Sequence, residues 1–445
     1  MNELSTGRAV TLYVGALLGP SVLLLPGLAA GLAGPASILA WVGLLIVSGL
    51  LAAVFSALGR RQPGRAGAAA FAGAAFGPRA ERVVGGCFLA GVVLGAPVVC
   101  LIGAAYLAQL VGGGHAATVG IAAILLLSVI GLTHGGARVS AGVQLVLVGV
   151  LVSLVVVAVG GALPHARSAN WTPFAPHGWS AVGTASTALM LSFVGWEAIA
   201  PMTSRLRSPR RQLPRVITLA FLITSTLYLG LAVATVSVLG PRAGSATPVA
   251  DLLRVAVGPV GAVAAAIAAL ALTLAATNAY LSGATEMLDA LRQSTRTDAA
   301  AVPRRGPTRP HLIGIRNRFA GAQGLQFAVA VVGTVLLGLA GVGWVDTRQL
   351  VVLPTTMFLL VYLASTAAGV RLLTGPVRLA AAVSCAAVCG VLAFSGVSAL
   401  VAVLVAGVAF VPWRQLIPLG RGWRSRASRV WTPGTPGASN APCQD

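Results

Sequence analysis

Long apolar runs alternate with short polar segments along the whole chain of 445 residues. A membrane-spanning helix takes about 20 consecutive apolar residues, and these runs have that length or come close to it. The pattern predicts twelve spans, at residues 9–33, 35–58, 83–111, 116–134, 140–163, 179–203, 216–239, 258–283, 323–343, 349–372, 377–394 and 396–412. It lacks the strict alternation that marks strands of a membrane barrel. We therefore predict an all-α integral membrane protein with about twelve transmembrane helices.

Composition agrees with this prediction and excludes the soluble classes. Hydrophobic residues make up 57% of the chain and charged residues 9%, whereas soluble domains carry about 25% charged residues. The mean hydropathy is +0.90. Soluble enzymes, disordered proteins and small disulfide-stapled proteins do not have this composition.

The positions of the charges predict an orientation. The net charge of +21 comes from 30 basic residues against 9 acidic ones, and every basic residue is arginine. With the N-terminus inside, 26 arginines fall in inner segments and four in outer loops, namely Arg167, Arg242, Arg254 and Arg348. The positive-inside rule therefore places both termini in the cytoplasm, and anionic lipid headgroups explain the charge without nucleic acid. A lysine-free, alanine- and glycine-rich chain is typical of a GC-rich bacterial genome, so we expect a multi-pass protein of the bacterial cytoplasmic membrane.

The span count suggests an internal organisation. Residues 1–430 are expected to form a single transmembrane domain with two inverted five-helix repeats, at about 9–163 and 179–372, followed by two extra helices within 377–412. The Pro/Gly/Ser-rich tail, 431–445, is predicted to be disordered.

Two segments between the runs also carry predictions. The Ala/Gly-rich stretch 66–77, flanked by arginines, is expected to lie along the inner membrane surface. The polar stretch 284–318 is expected to be a cytoplasmic loop, interpreted as a solvated linker that contacts lipid headgroups.

Helix-breaking residues occur at matching positions of two spans. Span 1 contains Gly19-Pro20 near its middle and Pro26-Gly27 beyond it, and span 6 reads S-F-V-G-W-E-A-I-A-P over 192–201. Proline removes a backbone donor and glycine tolerates unusual dihedral angles. A broken helix in hydrocarbon needs protein or a watery cavity around its freed polar groups. Matching breaks in two inverted repeats indicate a transporter's binding site, and two ordinary kinked helices are the alternative.

Span 6 also contains Glu197, the one acidic residue deep in any predicted span. A carboxylate at the bilayer centre is costly, so such a group faces a cavity or carries a proton. We predict that Glu197 gains and loses a proton during transport. The alternative is a structural carboxyl that accepts hydrogen bonds from the broken backbone.

The order of motifs resembles the amino acid–polyamine–organocation superfamily of secondary transporters along nearly the whole chain, and more narrowly its L-methionine/branched-chain amino acid exporter group. The strings that carry the resemblance are G-A-L-L-G-P-S-V-L-L-L-P (15–26), G-R-R-Q-P-G-R-A-G (59–67), A-F-G-P-R-A-E-R-V-V-G (75–85), F-V-G-W-E (193–197), S-P-R-R-Q-L-P-R (208–215) and A-T-N-A-Y (276–280). The resemblance implies a five-plus-five inverted repeat with broken helices 1 and 6.

The resemblance also implies roles for individual residues. Backbone N–H groups in the broken segment of span 1 would hold the substrate carboxylate. This segment comprises Leu18, Gly19, Pro20, Ser21, Val22 and Leu23, of which Pro20 has no N–H. Carbonyl groups of span 6 would hold the substrate amine, around Phe193, Val194, Gly195, Trp196 and Ala198. Glu197 matches a position linked to proton sensing, and Tyr280 matches a gating aromatic residue.

This chain departs from the family pattern in two places. The family commonly has Gly-Ser-Gly or Gly-Thr-Gly where this chain has Gly19-Pro20-Ser21, so the carboxylate loses one N–H donor that the Ser21 hydroxyl would replace. The family usually has an acid after span 6, where Arg205 stands, and a basic residue after span 8, where Glu286 stands. Either Arg205 and Glu286 form an inner ion pair in which acid and base have exchanged positions, or the two changes are unrelated.

The expected function is secondary active transport of neutral, apolar amino acids of the methionine and branched-chain type, as proton-coupled export. Its partners would be the amino acid, protons and membrane lipids, with no cofactor. Leu23, Phe193, Trp196 and Tyr280 are expected to form an apolar pocket. An uptake permease or exchanger of the same superfamily and a non-transporting membrane scaffold are the alternatives.

A membrane-embedded enzyme would need grouped nucleophiles, bases or metal ligands at one depth. The histidines lie in loops or at span ends without metal-ligand spacing, at His115, His134, His165, His177 and His311. The five cysteines form no metal or redox motif. We therefore expect neither a metal site nor catalysis.

Overall fold

The chain folds into α-helices, and no strand occurs among the residues that the computed structural model describes, which are 5–61, 67–135, 139–196, 206, 208–300 and 310–410. The helices are α1 (Thr6–Leu17), α2 (Ser21–Ala33), α3 (Ser37–Arg61), α4 (Gly67–Phe76), α5 (Pro78–Leu110), α6 (His115–His134), α7 (Ala141–Ala162), α8 (Ser180–Leu189), α9 (Pro209–Ala234), α10 (Pro248–Val257), α11 (Pro259–Ala300), α12 (Pro310–Gly341), α13 (Thr347–Leu372), α14 (Pro376–Ala393) and α15 (Val397–Phe410). Short 3₁₀ or π turns connect several of them.

Nine helical segments in the described part are long and apolar enough to cross a membrane. One of them, Ser21–Arg61, comprises α2 and α3, which meet at the 3₁₀ turn Gly34–Ala36. The chain is therefore a multi-pass, all-helical membrane protein. Helical residues lie in each of the twelve predicted runs, whereas twelve crossings in an inverted repeat remain a prediction. The tail 431–445 lies outside the described residues.

The prediction of a loop at 284–318 is wrong for most of that stretch. Helix α11 continues to Ala300 and α12 begins at Pro310, with 301–309 outside the described residues. Hydropathy marks where the membrane would end, whereas the helix ends where helix-favouring residues end. The sequence after Ser282 is rich in Ala, Leu, Met, Glu and Arg, which favour helix in water as well.

Helix α4 is embedded in the bundle and does not lie exposed along a surface as its sequence suggested. Most of its residues are buried, including Ala68, Phe71 and Ala72. It packs against α5 and α13, because glycine and alanine allow helices to approach closely. The Arg371 guanidinium lies over the Phe76 ring, 5.6 Å from its centroid.

Helix α5 packs against α4, α6, α11 and α13, while α1 packs against α9 and α2 against α8. Of the helices beside the breaks, α1 and α2 pack against α9, and α8 packs against α13. This arrangement positions the site.

Candidate functional site

The first span is broken in its middle, as its Gly-Pro pair predicted. Helix α1 ends at Leu17, and Leu18 leaves helical geometry with ψ 68°. Helix α2 begins at Ser21 with Pro20 as its N-cap residue. Pro20 suits a helix start because it has no N–H and its fixed φ matches the first turn.

This break leaves backbone donors open. The amides of Val22 and Leu23 donate to the carbonyl oxygens of Gly19 and Pro20, at 3.1 and 3.0 Å. Within the described part of the chain, neither the Gly19 nor the Ser21 amide donates to a backbone carbonyl. The first N–H groups of a helix carry a partial positive charge and attract anions. The start of α2 is thus suited to a carboxylate.

Pro26 does not interrupt α2, although the sequence suggested a second break there. The helix runs unbroken from Ser21 to Ala33, with Pro26 inside it. A Cβ atom on Gly27 would lie 2.1 Å from the Ser245 carbonyl oxygen. Gly27 therefore serves close packing.

The second span interruption follows α8. A 3₁₀ turn covers Met190–Phe193, Val194 is extended, and Gly195 has φ +144°. A Cβ atom on Gly195 would lie 2.6 Å from the carbonyl oxygen of Ala16, near the end of α1. Only glycine fits here, since both the dihedral angle and the contact exclude a side chain. The two breaks are therefore in direct contact.

Tyr362, on α13, bridges the second break. Its hydroxyl donates to the Phe193 carbonyl oxygen at 3.0 Å and accepts from the Gly195 amide at 2.9 Å. Unwinding a helix frees such backbone groups, and leaving them unpaired in an apolar interior is costly. The tyrosine supplies the partners that the helix has lost.

Tyr228, on α9, connects both breaks. Its hydroxyl oxygen lies 2.6 Å from the Leu17 carbonyl oxygen and 2.9 Å from that of Ser192, so its single proton can serve either. Its ring packs against those of Phe193 and Trp41, with centroids 5.6 and 5.2 Å apart. This cluster holds the ends of α1 and the 3₁₀ turn together.

A cavity of about 330 Å³ reaches both breaks. We call it the large cavity, because it is the larger of the two cavities that reach a break. Gly19 comes from the first break and Gly195 from the second, and Tyr280 on α11 lies beside them. The Tyr280 hydroxyl lies 3.7 Å from the place that a Cβ atom on Gly19 would take. The remaining walls consist of Gly15, Ala16, Gly67, Ala68, Ala69, Val84, Phe88, Gln144, Ala276, Ala279, Gly283, Glu286, Met287 and Val361.

A smaller cavity of about 30 Å³ also reaches the first break, where Pro20, Ser21 and Tyr280 line it together with apolar residues of α5, Leu191 and Phe358. Another cavity of about 380 Å³ lies near the starts of α6 and α13, with Leu24, His115 and Asp346 among its walls. No described residue of either break lines that cavity.

The predicted site residues divide into three groups. Gly19, Gly195, Tyr280 and Glu286 line the large cavity, and Pro20, Ser21 and Tyr280 line the small one. The buried residues that line neither are Leu18, Val22, Leu23, Phe193, Val194 and Trp196. The positions outside the described residues are Glu197, Ala198 and Arg205, so the Arg205–Glu286 pair and the proton site stay predictions.

Trp196 illustrates the second group. Its side chain is fully buried, and its indole N–H donates to the Ser48 hydroxyl at 2.9 Å. Phe193 is also buried, and it lines neither of the cavities that reach the breaks. Small residues, and not these aromatic rings, provide most of the wall beside the breaks.

The sequence interpretation missed the tyrosines that brace the site. The chain has five tyrosines. Three of them donate to carbonyl groups of the broken spans, since Tyr106 also donates to Leu23 at 2.7 Å. A tyrosine inside an apolar run needs a hydrogen-bond partner, and this signal could have identified Tyr106, Tyr228 and Tyr362. Helix α4 and Gln144 were also missed as cavity walls.

The described residues contain no group of three or more His, Cys, Asp or Glu side chains that could hold a metal ion.

Comparison with known proteins places this site in a family context. The family model described as amino acid permease matches residues 4–299. The uncharacterized amino acid permease YecA of Bacillus subtilis (strain 168) is 29% identical over 371 residues, which cover 82% of this chain and 84% of YecA.

Two shorter matches carry more specific names. The L-methionine/branched-chain amino acid exporter YjeH of Escherichia coli (strain K12) is 30% identical over 232 residues, 51% of this chain and 54% of YjeH. The chloroplastic cationic amino acid transporter 9 of Arabidopsis thaliana is 34% identical over 118 residues, 26% of this chain and 21% of that protein. The two names differ in substrate class.

Proposed function

Since the chain belongs to the amino acid permease family, we propose that it is a secondary active transporter that exports neutral, apolar amino acids of the methionine and branched-chain type across the bacterial cytoplasmic membrane, driven by protons. The single observation that carries this proposal is the cavity of about 330 Å³ that joins both helix breaks. A cavity at paired breaks is where a transporter binds its substrate.

The polar end of the amino acid fits the breaks. The open amides of Gly19 and Ser21, together with the Ser21 hydroxyl, offer donors to the carboxylate at the positive end of α2. Carbonyl groups of the second break would take the amine. At that break the Ser192 and Phe193 carbonyls already contact tyrosine hydroxyls, and the neighbouring Val194 carbonyl is the candidate.

The walls beyond the breaks favour an apolar side chain. Val84, Phe88, Met287 and Val361 supply apolar surface, and glycine and alanine residues provide space between them. Glu286 is the one carboxylate among the walls that the structure describes. It is the observation that favours a second candidate, transport of cationic amino acids.

Sidedness and coupling complete the proposal. Glycine and alanine residues of α4, between two arginine clusters, line the large cavity, so that cavity would open to the cytoplasm with both termini on the same side. Twelve spans in a five-plus-five repeat would relate the two breaks by symmetry. Glu197, next to Trp196, would carry the coupled proton.

Purified protein in liposomes tests the proposal. The cytoplasmic face of the protein contacts one of the two compartments, inside or outside the vesicle. When a proton gradient directed into that compartment is imposed, labelled methionine or leucine should move out of it. Unlabelled leucine should compete with the labelled substrate better than arginine does. Glu197→Gln should retain exchange at symmetrical pH and lose gradient-driven flux, because exchange need not carry a proton. Arginine as the strongest competitor would support the cationic candidate, and uptake-only flux would support a permease.

A further inference from the structure

One wall of the large cavity has a property that packing does not explain. We infer that α11 around Gly283 receives the substrate's side chain, and that the missing side chain at this position sets the largest amino acid that the protein carries. The inference rests on the proposed function, because it assigns specificity to the same cavity.

The wall is one continuous face of α11. Ala276, Ala279, Tyr280, Gly283 and Met287 all line the cavity, and their spacing of three or four residues places them on one side of a helix. Tyr280 lies at the first break, beside Gly19. Gly283 lies three residues, or about 4.5 Å, further along the helix axis. A substrate held at the break can therefore direct its side chain along this face.

Gly283 has open space where a side chain would be. A Cβ atom built there meets no atom within 4 Å. Two other cavity glycines differ, since a Cβ atom on Gly15 would lie 2.4 Å from Val148 Cγ2 and one on Gly195 would lie 2.6 Å from a carbonyl oxygen. Packing therefore requires glycine at 15 and 195 but not at 283.

Glycine inside a helix is also less stable than alanine. Gly283 does not have a positive φ, so backbone geometry does not require glycine there either. What the missing side chain provides is room in the cavity. Phe88 of α5 and Met287 of α11 supply apolar surface to the same cavity, which suits an extended aliphatic or thioether side chain.

A side chain added at position 283 should therefore select against large substrates and spare small ones. Filling an apolar pocket by one or two carbon atoms changes discrimination by about tenfold or more. In Gly283→Val, we expect the KM for leucine and methionine to rise about tenfold, with the KM for alanine changed by less than about twofold. Gly283→Ala should give a shift of the same sign and smaller size.

A matched control is Gly338→Val on α12. Gly338 also has no atom within 4 Å of a Cβ position, and it lines none of the cavities described above. The control should keep the wild-type ratio of leucine to alanine transport in the same liposomes. It accounts for any general effect of a β-branched residue in a membrane helix.

The outcomes separate the inference from the proposed function. If the wild-type protein transports no amino acid, the proposed function fails and the inference with it. If the wild-type protein transports leucine and Gly283→Val lowers leucine and alanine transport equally, or leaves their ratio unchanged, only the inference fails. If valine abolishes all transport, the leucine-to-alanine ratio of Gly283→Ala decides, and an unchanged ratio contradicts the inference.

Discussion

The two helix breaks meet in the same cavity but differ in how their polar groups are used. At the first break, the Gly19 and Ser21 amides have no backbone acceptor in the described residues. At the second, the hydroxyls of Tyr228 and Tyr362 contact the freed carbonyls of Ser192 and Phe193 at 2.9 and 3.0 Å. The amide donors of the first break are left open to a ligand, whereas tyrosines from neighbouring helices hold the carbonyls of the second break and the Leu17 carbonyl at the end of α1.

The difference assigns recognition of the substrate carboxylate to the first break and structural support of the site to the second. Open donors at a helix start are available to an anion. A backbone carbonyl that already accepts a tyrosine proton is fixed in position and offers less to a cation. The first break should therefore dominate recognition of the carboxylate, and changes at the second should act mainly through stability.

The largest effect is expected for Gly195→Ala. The new methyl group would meet the Ala16 carbonyl oxygen at 2.6 Å, and the positive φ would be strained as well. Overpacking and dihedral strain together cost about 2–6 kcal/mol, so we expect little folded protein in detergent gel filtration. Gly19→Ala is the control, since its Cβ atom would make only contacts of 3.7 Å. A monodisperse, active Gly195→Ala protein would contradict the packing of the two breaks.

An intermediate effect is expected for Tyr362→Phe. The change leaves the Phe193 carbonyl and the Gly195 amide without the hydroxyl that both contact. Each unpaired buried group costs about 1–3 kcal/mol, so the Tm should fall clearly while the KM for leucine changes little. The paired measurement is Tyr228→Phe, which should also lower the Tm. A changed KM with an unchanged Tm would mean that the hydroxyl contacts the substrate directly.

The smallest effect is expected for Ser21→Ala, and it should appear in affinity. Loss of one hydroxyl donor to a carboxylate costs about 1.5 kcal/mol, which corresponds to a KM about tenfold higher. Ser192→Ala is the matched control at the second break, because its buried Oγ has no hydrogen-bond partner among the residues that the structure describes. That variant should keep the wild-type KM and stability. Equal effects of the two substitutions would remove the distinction between the breaks.

The sequence predicted the breaks better than their surroundings. Gly19-Pro20 signals a break directly, because proline lacks a donor and glycine permits the turn. Trp196 follows Gly195 in the F-V-G-W-E motif of span 6, but nothing in the sequence indicates whether its ring faces a cavity or Ser48. Tyr362 lies about 170 residues from the break that it bridges, and such long-range pairs cannot be predicted from local patterns. The small residues of α4 allowed burial but did not indicate where the helix would dock.

The most direct test of the account is whether the protein recognises the carboxylate of its substrate at the first break. Leucine and leucinamide differ only in that group, and both can compete with labelled leucine for transport in liposomes. We expect leucinamide to bind at least about a hundredfold more weakly, since open amides at a helix start stabilise an anion and not a neutral amide. In Ser21→Ala, the ratio of the inhibition constant of leucinamide to that of leucine should be smaller than in the wild-type protein. Equal competition by leucine and leucinamide in the wild-type protein would contradict the account.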